Sequence, residues 1–246
     1  MRIARTAVEL QLDGEIGLVP TMGAFHRGHL SLFRAARAEN DVVVASLFVN
    51  PAQFGEGEDL NAYPRDEEHD AKLAEEAGVD VLFVPTAEQI YPPGFQTWID
   101  VERLGAILEG EHRPGHLRGV ATVCLKLFSL VRPDRAYFGQ KDAQQAAVVK
   151  RMVSDLAVPV EIRVCPTVRD EDGLALSSRN AYLSPQERAQ ALSLPRALQA
   201  RDRTLLNGVE VDYFEEADFE PRVLAAAVRV GGTRLIDNVV LEGEPR

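Results

Sequence analysis

Residues 16–50 read IGLVPTMGAFHRGHLSLFRAARAENDVVVASLFVN, and this stretch decides the fold. It opens with an apolar run that ends at Pro20, continues with apolar residues at helical spacing, and closes with a β-branched run over 41–50. A continuous apolar strand is typical of a sheet that is covered on both faces. The stretch therefore predicts a strand, a helix and a second, parallel strand, which is the right-handed unit of an α/β sheet.

The same alternation of strand and helix patterns continues to residue 167. Residues 86–117 interrupt it, and because they are rich in Pro and Gly we expect them to be irregular. Repeated βα units with buried strands predict a parallel α/β domain over residues 1–167. The further helices are predicted at 65–78, 119–131 and 142–156, and the further strands at 79–85, 135–139 and 158–166.

The pattern changes in the last third of the chain. Ser184 is followed by Pro185 and Glu187, which together form a helix-start signal, and the helix is predicted to run to about Arg201. Strand patterns follow at 208–215 and 234–241, with a mixed segment between them. Residues 168–246 are therefore predicted to form a small α+β domain.

Composition limits the possible partners. The chain has 246 residues and a formal net charge of −11, which argues against general binding to nucleic acid or to an anionic membrane. No segment approaches the ~18 uninterrupted apolar residues of a membrane-spanning helix. Cys124 and Cys165 both lie in apolar surroundings, as is typical of free thiols in a reducing cytosol. These features predict a soluble, cytoplasmic protein.

His26 and His29 lie where the first long strand gives way to a helix. A helix N-terminus attracts anions through its unpaired N–H groups and its positive dipole end, and histidines add further donors. Gly28 between them allows a ligand to approach the backbone closely. The pattern favours a phosphate site, although two ordinary surface or capping histidines would look the same.

Three further stretches carry polar groups just beyond predicted strands. Lys141 stands at a helix start, where the dipole disfavours it unless a phosphate is bound, and Asp142 beside it has an alternative role as a helix cap. Ser177–Arg179 offer two hydroxyls and a guanidinium that can hold a polyphosphate. Asn50 and Gln53 offer neutral amides suited to substrate hydroxyls, or to an ordinary turn.

Seven motifs occur in the order in which pantothenate synthetases carry them, and they span nearly the whole chain. They are PTMGAFHRGH, FVNPAQFG, YPRD, RPGHLRGV, YFGQKDAQQ, DGLALSSRN and TRLIDN. The chain therefore resembles the pantothenate synthetase family of nucleotidyltransferases, which carry an HxGH signature. The resemblance implies a Rossmann-like domain followed by a smaller α+β C-terminal lid domain. The chain departs from the common family pattern at Leu176, Ala143 and Leu117, and two segments look shortened.

The resemblance also implies a reaction. ATP and Mg²⁺ would adenylate the carboxylate of pantoate and release pyrophosphate, and β-alanine would then attack the pantoyl adenylate to give pantothenate and AMP. Family members are usually homodimers. The expected partners are thus small molecules and a second copy of the chain, and the resemblance assigns no protein ligands to the metal.

Site residues follow from the same resemblance. Fixed donors aimed at the charge that develops on the phosphates would provide the catalysis. We interpret both histidines as phosphate donors, because pyrophosphate leaving on Mg²⁺ hardly needs a proton. The catalytic groups would be His26, His29, Lys141, Ser177, Ser178 and Arg179. The ATP site would comprise Met22, Gly23, Ala24, Phe25, His26, Arg27, Gly28, His29, Gly139, Gln140, Lys141, Asp142, Val168, Leu176, Ser177, Ser178 and Arg179. Pantoate would be held by Gln53 and Gln145, with Asn50, Tyr63, Arg113 and Gln144 nearby.

Three alternatives remain open at this point. Another HxGH nucleotidyltransferase would adenylate a different small acid or a cofactor precursor. His26 and His29 with His112 and His116 have spacings that zinc sites use. A binding module could have kept the fold and lost the chemistry.

Overall fold

The computed structural model describes residues 1–58 and 60–241, and these form two compact units. Among the described residues, the first unit comprises 1–138 and 148–165, and the second comprises 139–147 and 166–241. The segments predicted from the sequence, 1–167 and 168–246, differ from these units chiefly at 139–147, which belong to the second unit.

The described part of the chain up to residue 165 contains six strands and six α-helices, and the strands and helices predicted there are all present. Residues 86–117, predicted to be irregular, hold two helices of one turn each. The strands are β1 Arg2–Ala4, β2 Ile16–Thr21, β3 Val42–Leu47, β4 Val81–Phe83, β5 Arg135–Gly139 and β6 Glu161–Cys165. The helices are α1 Arg27–Glu39, α2 Glu67–Glu76, α3 Ala87–Ile90, α4 Glu109–His112, α5 His116–Val131 and α6 Ala143–Asp155.

The six strands form one sheet in the order β1-β4-β3-β2-β5-β6. The pairs β1/β4, β4/β3, β3/β2 and β2/β5 are all parallel. The predicted parallel α/β architecture is confirmed, and only the short strand β1 at the edge was not predicted.

The core of the first unit explains the β-branched runs. Val19 of β2 and Val43 of β3 are fully buried and pack in one cluster with Phe33 of α1 and Leu82 of β4. Burying one such side chain contributes about 1.5–3 kcal/mol. The run in β3 thus reads as continuously apolar because both faces of the sheet are covered.

The second unit combines two helices with a three-stranded sheet. Helices α7 Pro185–Ala191 and α8 Ser193–Ala200 precede strands β7 Glu210–Ala217, β8 Val223–Val230 and β9 Thr233–Val240. The strands are antiparallel in the order β7-β8-β9. The small α+β domain is confirmed, and β8 occupies the segment that looked mixed in sequence.

The predicted helix from Ser184 to about Arg201 is interrupted at Leu192. Its start is as expected, since the Ser184 side chain accepts a hydrogen bond from the Glu187 N–H and Glu187 reciprocates. Pro195 has no N–H to donate to the carbonyl of Ala191, so one continuous helix would lose a hydrogen bond there. The two shorter helices α7 and α8 result.

Two expectations from composition concern membranes and thiols. Among the described residues, none of the helices has both the length and the apolarity that crossing a bilayer requires. Cys124 and Cys165 are both free, as predicted, and Cys124 is buried inside α5. Burial raises the pKa of the Cys124 thiol to about 12, so it stays protonated and unreactive.

Candidate active site

The loop after β2 lies at the topological switch point of the parallel sheet. From β2 the chain moves through α1 to β3 on one side, and β5 later pairs with the other side of β2. Ligands of open α/β sheets bind outside the carboxyl ends of the strands at such a point. The loop at 22–26 and the turn at 50–53, which follow β2 and β3, therefore share the edge of the sheet where a ligand is expected.

His26 and His29 together cap the start of α1. His26 Nδ1 accepts a hydrogen bond from the Gly28 N–H at 3.1 Å, and His29 Nδ1 accepts one from the His26 N–H at 3.3 Å. Their ring centroids are 4.2 Å apart. Because each Nδ1 accepts, each neutral ring carries its proton on Nε2. The capping alternative and the donor role are therefore compatible, since they use different nitrogen atoms.

The turn before His26 is held by a buried carboxylate that the sequence did not reveal. Asp70 is 1% exposed, and its oxygens accept from the N–H groups of Ala24 at 2.8 Å and Phe25 at 2.7 Å. Burial raises the pKa of Asp70, and the two N–H groups offset this only in part. Gly23 has φ +94°, and a Cβ there would lie 2.8 Å from an Asp70 oxygen. The turn thus needs both a glycine and this acceptor.

Asn50 and Gln53 lie at the two ends of a single 3₁₀ turn, Pro51–Gln53. The Asn50 amide donates to Gln53 Oε1 at 3.1 Å and to the Gly119 carbonyl at 3.2 Å, and its oxygen accepts from the Tyr91 hydroxyl at 2.8 Å. Asn50 is 1% exposed, so its polar atoms serve the turn. Gln53 Nε2 lies 3.0 Å from the sulfur of Met22, which joins this turn to the loop after β2.

The main chain of Gln53 rests on the residues around the start of α5. Its carbonyl oxygen accepts from His116 Nδ1 at 2.9 Å and from Arg113 Nη2 at 3.4 Å. A Cβ at Gly119 would lie 2.2 Å from the carbonyl oxygen of Ala52, so only glycine allows the helix to approach this closely. The motif RPGHLRG therefore supports the Asn50–Gln53 turn.

Charges around this support are compensated. Arg113 forms two hydrogen bonds of 2.7 Å to the carboxylate of Glu58, and its guanidinium lies 3.7 Å from Glu109. Burial would raise the pKa of Glu58, but the bonds and charge of Arg113 outweigh it and hold the pKa below its ordinary value. Burial, followed by the charge of Arg113, lowers the pKa of His116 from 6.5 to about 4. His116 is thus neutral at physiological pH and donates from Nδ1.

Tyr63 is buried and packs edge-on against Phe54, with ring centroids 6.0 Å apart. The structure thus brings Met22–His29, Asn50, Gln53, Tyr63 and Arg113 into the first unit.

The segment that follows β5 belongs to the second unit. Gln140–Asp142 form a 3₁₀ turn that leads into α6, and the Lys141 ammonium lies 3.3 Å from Asp142. Asp142 therefore offsets part of the conflict between Lys141 and the helix start. Gln144 is buried and Gln145 half-buried in the first turn of α6. The side chain of Asn238 binds the main chain of this turn, a contact that the sequence did not predict.

The stretch before Ser177 forms a small hairpin in the second unit. The N–H of Leu176 donates to the carbonyl of Val168 at 3.0 Å, and Arg169 and Ala175 form a bridge. Ser177 Oγ then accepts from the Arg179 N–H at 3.3 Å and starts the 3₁₀ turn Ser178–Tyr182. Lys141 and Ser177–Arg179 thus both lie in the second unit, and their convergence with the histidines on one ligand stays a prediction.

Comparison with known proteins assigns the chain to a family. The family model described as pantoate-beta-alanine ligase matches residues 1–240. The chain belongs to the pantoate–β-alanine ligase family. A pantothenate synthetase from Moorella thermoacetica is 53% identical, with 92% of this chain and 91% of the relative covered. One from Roseiflexus sp. is 51% identical, with 98% and 100% covered.

Solved structures of the pantoate–β-alanine ligase family agree in fold. Pantothenate synthetase from Thermus thermophilus matches with a TM-score of 0.93 and 48% identity, covering 98% of this chain and 99% of its own. The enzyme from Francisella tularensis, solved with β-γ ATP and β-alanine, matches with a TM-score of 0.90 and 37% identity over the whole of both chains. The resemblance seen in the seven motifs is confirmed, and with it the ligase class.

The described residues contain no cluster of ligands that would support the zinc alternative. Within residues 1–58 and 60–241, no group of three or more His, Cys, Asp and Glu side chains is placed to hold a metal ion. His116 instead binds the Gln53 carbonyl, and His26 and His29 cap α1. One ring nitrogen of each of these three histidines therefore hydrogen-bonds the backbone.

Proposed function

We propose that this chain catalyses the ATP-dependent condensation of pantoate with β-alanine, through a pantoyl adenylate, and releases AMP and pyrophosphate. Membership of the pantoate–β-alanine ligase family over residues 1–240 carries this proposal. The ATP and β-alanine in the Francisella tularensis relative, which matches over the full chain, support the same substrates. The rival reading, another HxGH nucleotidyltransferase, has no comparable support.

In the first step, a carboxylate oxygen of pantoate attacks the α-phosphorus of ATP and pyrophosphate leaves. Negative charge grows on the α-phosphate and on the departing group, so donors that are already in place lower the barrier. We assign this role to the Nε2–H groups of His26 and His29, which their capping bonds orient. Lys141, the hydroxyls of Ser177 and Ser178 and the guanidinium of Arg179 are assigned to the same phosphates.

Pantoate is assigned to the turn at 50–53. Gln53 would bind its hydroxyl or carboxylate oxygens through the side-chain amide, and Gln145 is assigned the same role by the resemblance. Because Asn50 and Arg113 are engaged with the turn and with Glu58, we assign them to its support rather than to the ligand.

In the second step, the amine of β-alanine attacks the acyl carbon of the adenylate and AMP leaves. The acyl group already carries a good leaving group, so correct positioning provides most of the rate. Water must be excluded, because the adenylate hydrolyses readily. The loop over residues 173–180 is our candidate for a cover.

Mg²⁺ is proposed to accompany ATP. Mg²⁺ is usually held by substrate phosphates and one or two carboxylates and keeps several waters, so it does not require a cage of protein ligands. The lack of a three-ligand cluster in the described residues fits an ion of this kind. When bound, it would neutralise charge on the phosphates.

A homodimer and a cytoplasmic location are also proposed. Both rest on the family resemblance, and the two free cysteines fit a reducing compartment. Size-exclusion chromatography with light scattering would measure the mass of the assembly, and a mass equal to the 27.1 kDa chain would reject the dimer.

The deciding experiment incubates the protein with ATP, Mg²⁺, pantoate and β-alanine and measures pantothenate, AMP and pyrophosphate. Omitting β-alanine should leave pantoate-dependent exchange between pyrophosphate and ATP while no pantothenate forms. Exchange driven by another acid and not by pantoate would favour the rival nucleotidyltransferase. ATP binding without any AMP would favour a non-catalytic module.

A further inference from the structure

Two adjacent residues of β9, Asp237 and Asn238, bind the two segments to which we assign the phosphates. Successive side chains of a strand point to opposite faces of the sheet. Asp237 lies on the face of Leu235 and Val239, which belong to the apolar core of the second unit. Asn238 lies on the other face. Both are nonetheless buried, at 2% and 4% exposed, so each polar side chain needs partners.

Asn238 holds the turn that carries Lys141. Its amide nitrogen donates to the carbonyl of Gln140 at 2.8 Å and to that of Lys141 at 2.9 Å. Its oxygen accepts from the Gln140 side chain at 3.1 Å. These three bonds bind the turn on both sides of the Lys141 Cα, although the residues are 97 and 98 positions apart in the chain.

Asp237 holds the hairpin that leads to Ser177–Arg179. Its carboxylate accepts from both terminal nitrogens of Arg169, at 2.6 and 3.0 Å. Arg169 also donates to the carbonyl of Gly173 at 3.1 Å, across the same hairpin. Because Asp237 Oδ1 further accepts from the Asn238 N–H at 2.8 Å, the two anchors are directly joined.

We propose that Asp237 and Asn238 are positioning residues, which set the place of Lys141 and of the Ser177–Arg179 loop relative to each other for contact with one nucleotide phosphate chain. This inference rests on the proposed function. Burying an Asp and an Asn in a small sheet costs more free energy than burying apolar residues of similar size. Their presence therefore argues for a role beyond packing. A displacement of about 1 Å in a catalytic group can lower the rate about 100-fold.

The first test is Asn238→Asp, which keeps the size and the acceptor for Gln140 but replaces two N–H donors by an oxygen facing two carbonyls. We expect kcat/KM for ATP in pantoate-dependent pyrophosphate exchange to fall about 10- to 100-fold. Val240→Ala is the matched control, because Val240 lies on the same face of β9 and is 44% exposed. It should keep the wild-type rate.

A double-mutant cycle separates positioning from general loss of structure. If Asn238 acts through Lys141, Asn238→Asp should lower the rate by less than about threefold in a Lys141→Ala background, because the group it positions is already gone. An equal loss in both backgrounds would overturn the inference, as would wild-type kinetics in a folded Asn238→Asp protein. Circular dichroism and thermal melting check the fold.

If Asn238→Asp does not fold, the same test is made with Asp237→Asn in an Arg179→Ala background. Asp237→Asn keeps the shape of the side chain and one of the two oxygens that accept from Arg169. A wild-type protein without pantoate-dependent exchange would overturn the proposed function and this inference together. Wild-type exchange with unaffected variants would overturn the inference alone.

Discussion

The Nδ1 atoms of His26 and His29 both accept hydrogen bonds from main-chain N–H groups in the first turn of α1, and their rings lie 4.2 Å apart. This reciprocal cap is the histidine counterpart of the capping box that Ser and Glu usually form. The two hydrogen bonds hold each ring through its Nδ1 atom, which faces the backbone. The Nε2–H edges are thereby oriented as a pair, which is what donors to a phosphate require.

Two substitutions of His29 should separate capping from donation. His29→Asn keeps an acceptor near Nδ1 and removes the Nε2–H, so we expect a nearly unchanged melting temperature and a turnover lowered at least about 100-fold. His29→Leu removes both the acceptor and the donor, so its turnover should fall as far and it should also lose about 1 kcal/mol of stability. Ser184→Ala, which removes the cap of α7, is the stability control. Near-wild-type turnover in a folded His29→Asn protein would exclude a role for the Nε2–H.

Lys141 should be required for its charge. Lys141→Ala is expected to lower the rate of pyrophosphate exchange at least about 100-fold, because one fixed donor to the transition state is lost. Lys141→Arg should retain part of the rate, since it keeps the charge but changes its geometry. Lys72→Ala, at an exposed position of α2, is the matched control and should behave as wild type. A Lys141→Ala protein with near-wild-type exchange would contradict the assignment.

The fold was largely predictable because its signals are local. The β-branched run in Val42–Leu47 and the helical spacing after His29 each describe a single element, and parallel pairing follows from their alternation. Pro195 lies inside the predicted helix and accounts for the break at Leu192. The strand Val223–Val230 was not predicted, because the three alanines at its centre, Ala225–Ala227, favour a helix and carry no β-branched signal.

The supports of the candidate site were not predictable, because they join residues that are distant in the chain. Asp70 reaches Ala24 and Phe25 from 46 and 45 positions away. His116 reaches Gln53 across 63 positions. Asp70 lies in an amphipathic helix and His116 follows a basic loop, and the local sequence of neither segment indicates a distant hydrogen-bond partner. The HxGH and SSR stretches were identified because their residue types suit phosphate and because the family shares them.

Gln53 should govern the use of pantoate. Gln53→Ala removes one neutral amide, whose hydrogen bonds are each worth about 0.5–1.5 kcal/mol, so KM for pantoate should rise about 3- to 10-fold. KM for ATP should change little, because the phosphates are assigned to other side chains. Gln186→Ala, at an exposed position of α7, is the control. Equal increases in both KM values would remove Gln53 from the pantoate pocket.

His116 should make the protein less stable in acid. Its pKa is lowered from 6.5 to about 4 in the folded chain, so the folded state binds the proton more weakly than the unfolded state. The stability is complete above pH 6.5 and is lost as the pH falls through the folded pKa. Between about pH 7.5 and about pH 5 the loss is roughly 2 kcal/mol, at about 1.36 kcal/mol per pKa unit.

Urea unfolding of the wild type and of His116→Asn at the two pH values measures this contribution. Asn can donate to the Gln53 carbonyl as Nδ1 does, but it does not titrate, so the variant should lose roughly 2 kcal/mol less than the wild type on acidification. Other titrating groups are common to both proteins and cancel. Identical losses would show that His116 binds its proton equally in both states.

Gly119 should be the most sensitive position beneath the turn at 50–53. A Cβ there would lie 2.2 Å from the Ala52 carbonyl oxygen and 2.8 Å from the Gln53 nitrogen, so the main chain of the turn must move. We expect Gly119→Ala to cost about 1–3 kcal/mol in the free energy of unfolding. Because the displaced atoms carry Gln53, KM for pantoate should rise more than KM for ATP.

Gly232→Ala is the matched control for this substitution, since nothing lies within 4 Å of a Cβ at that position. It should change neither the free energy of unfolding nor either KM. Urea unfolding and steady-state kinetics on the two variants decide the matter. A Gly119→Ala protein that is destabilised but keeps the wild-type ratio of the two KM values would mean that the α5 contact serves stability alone, because a shifted Gln53 could not leave pantoate binding intact.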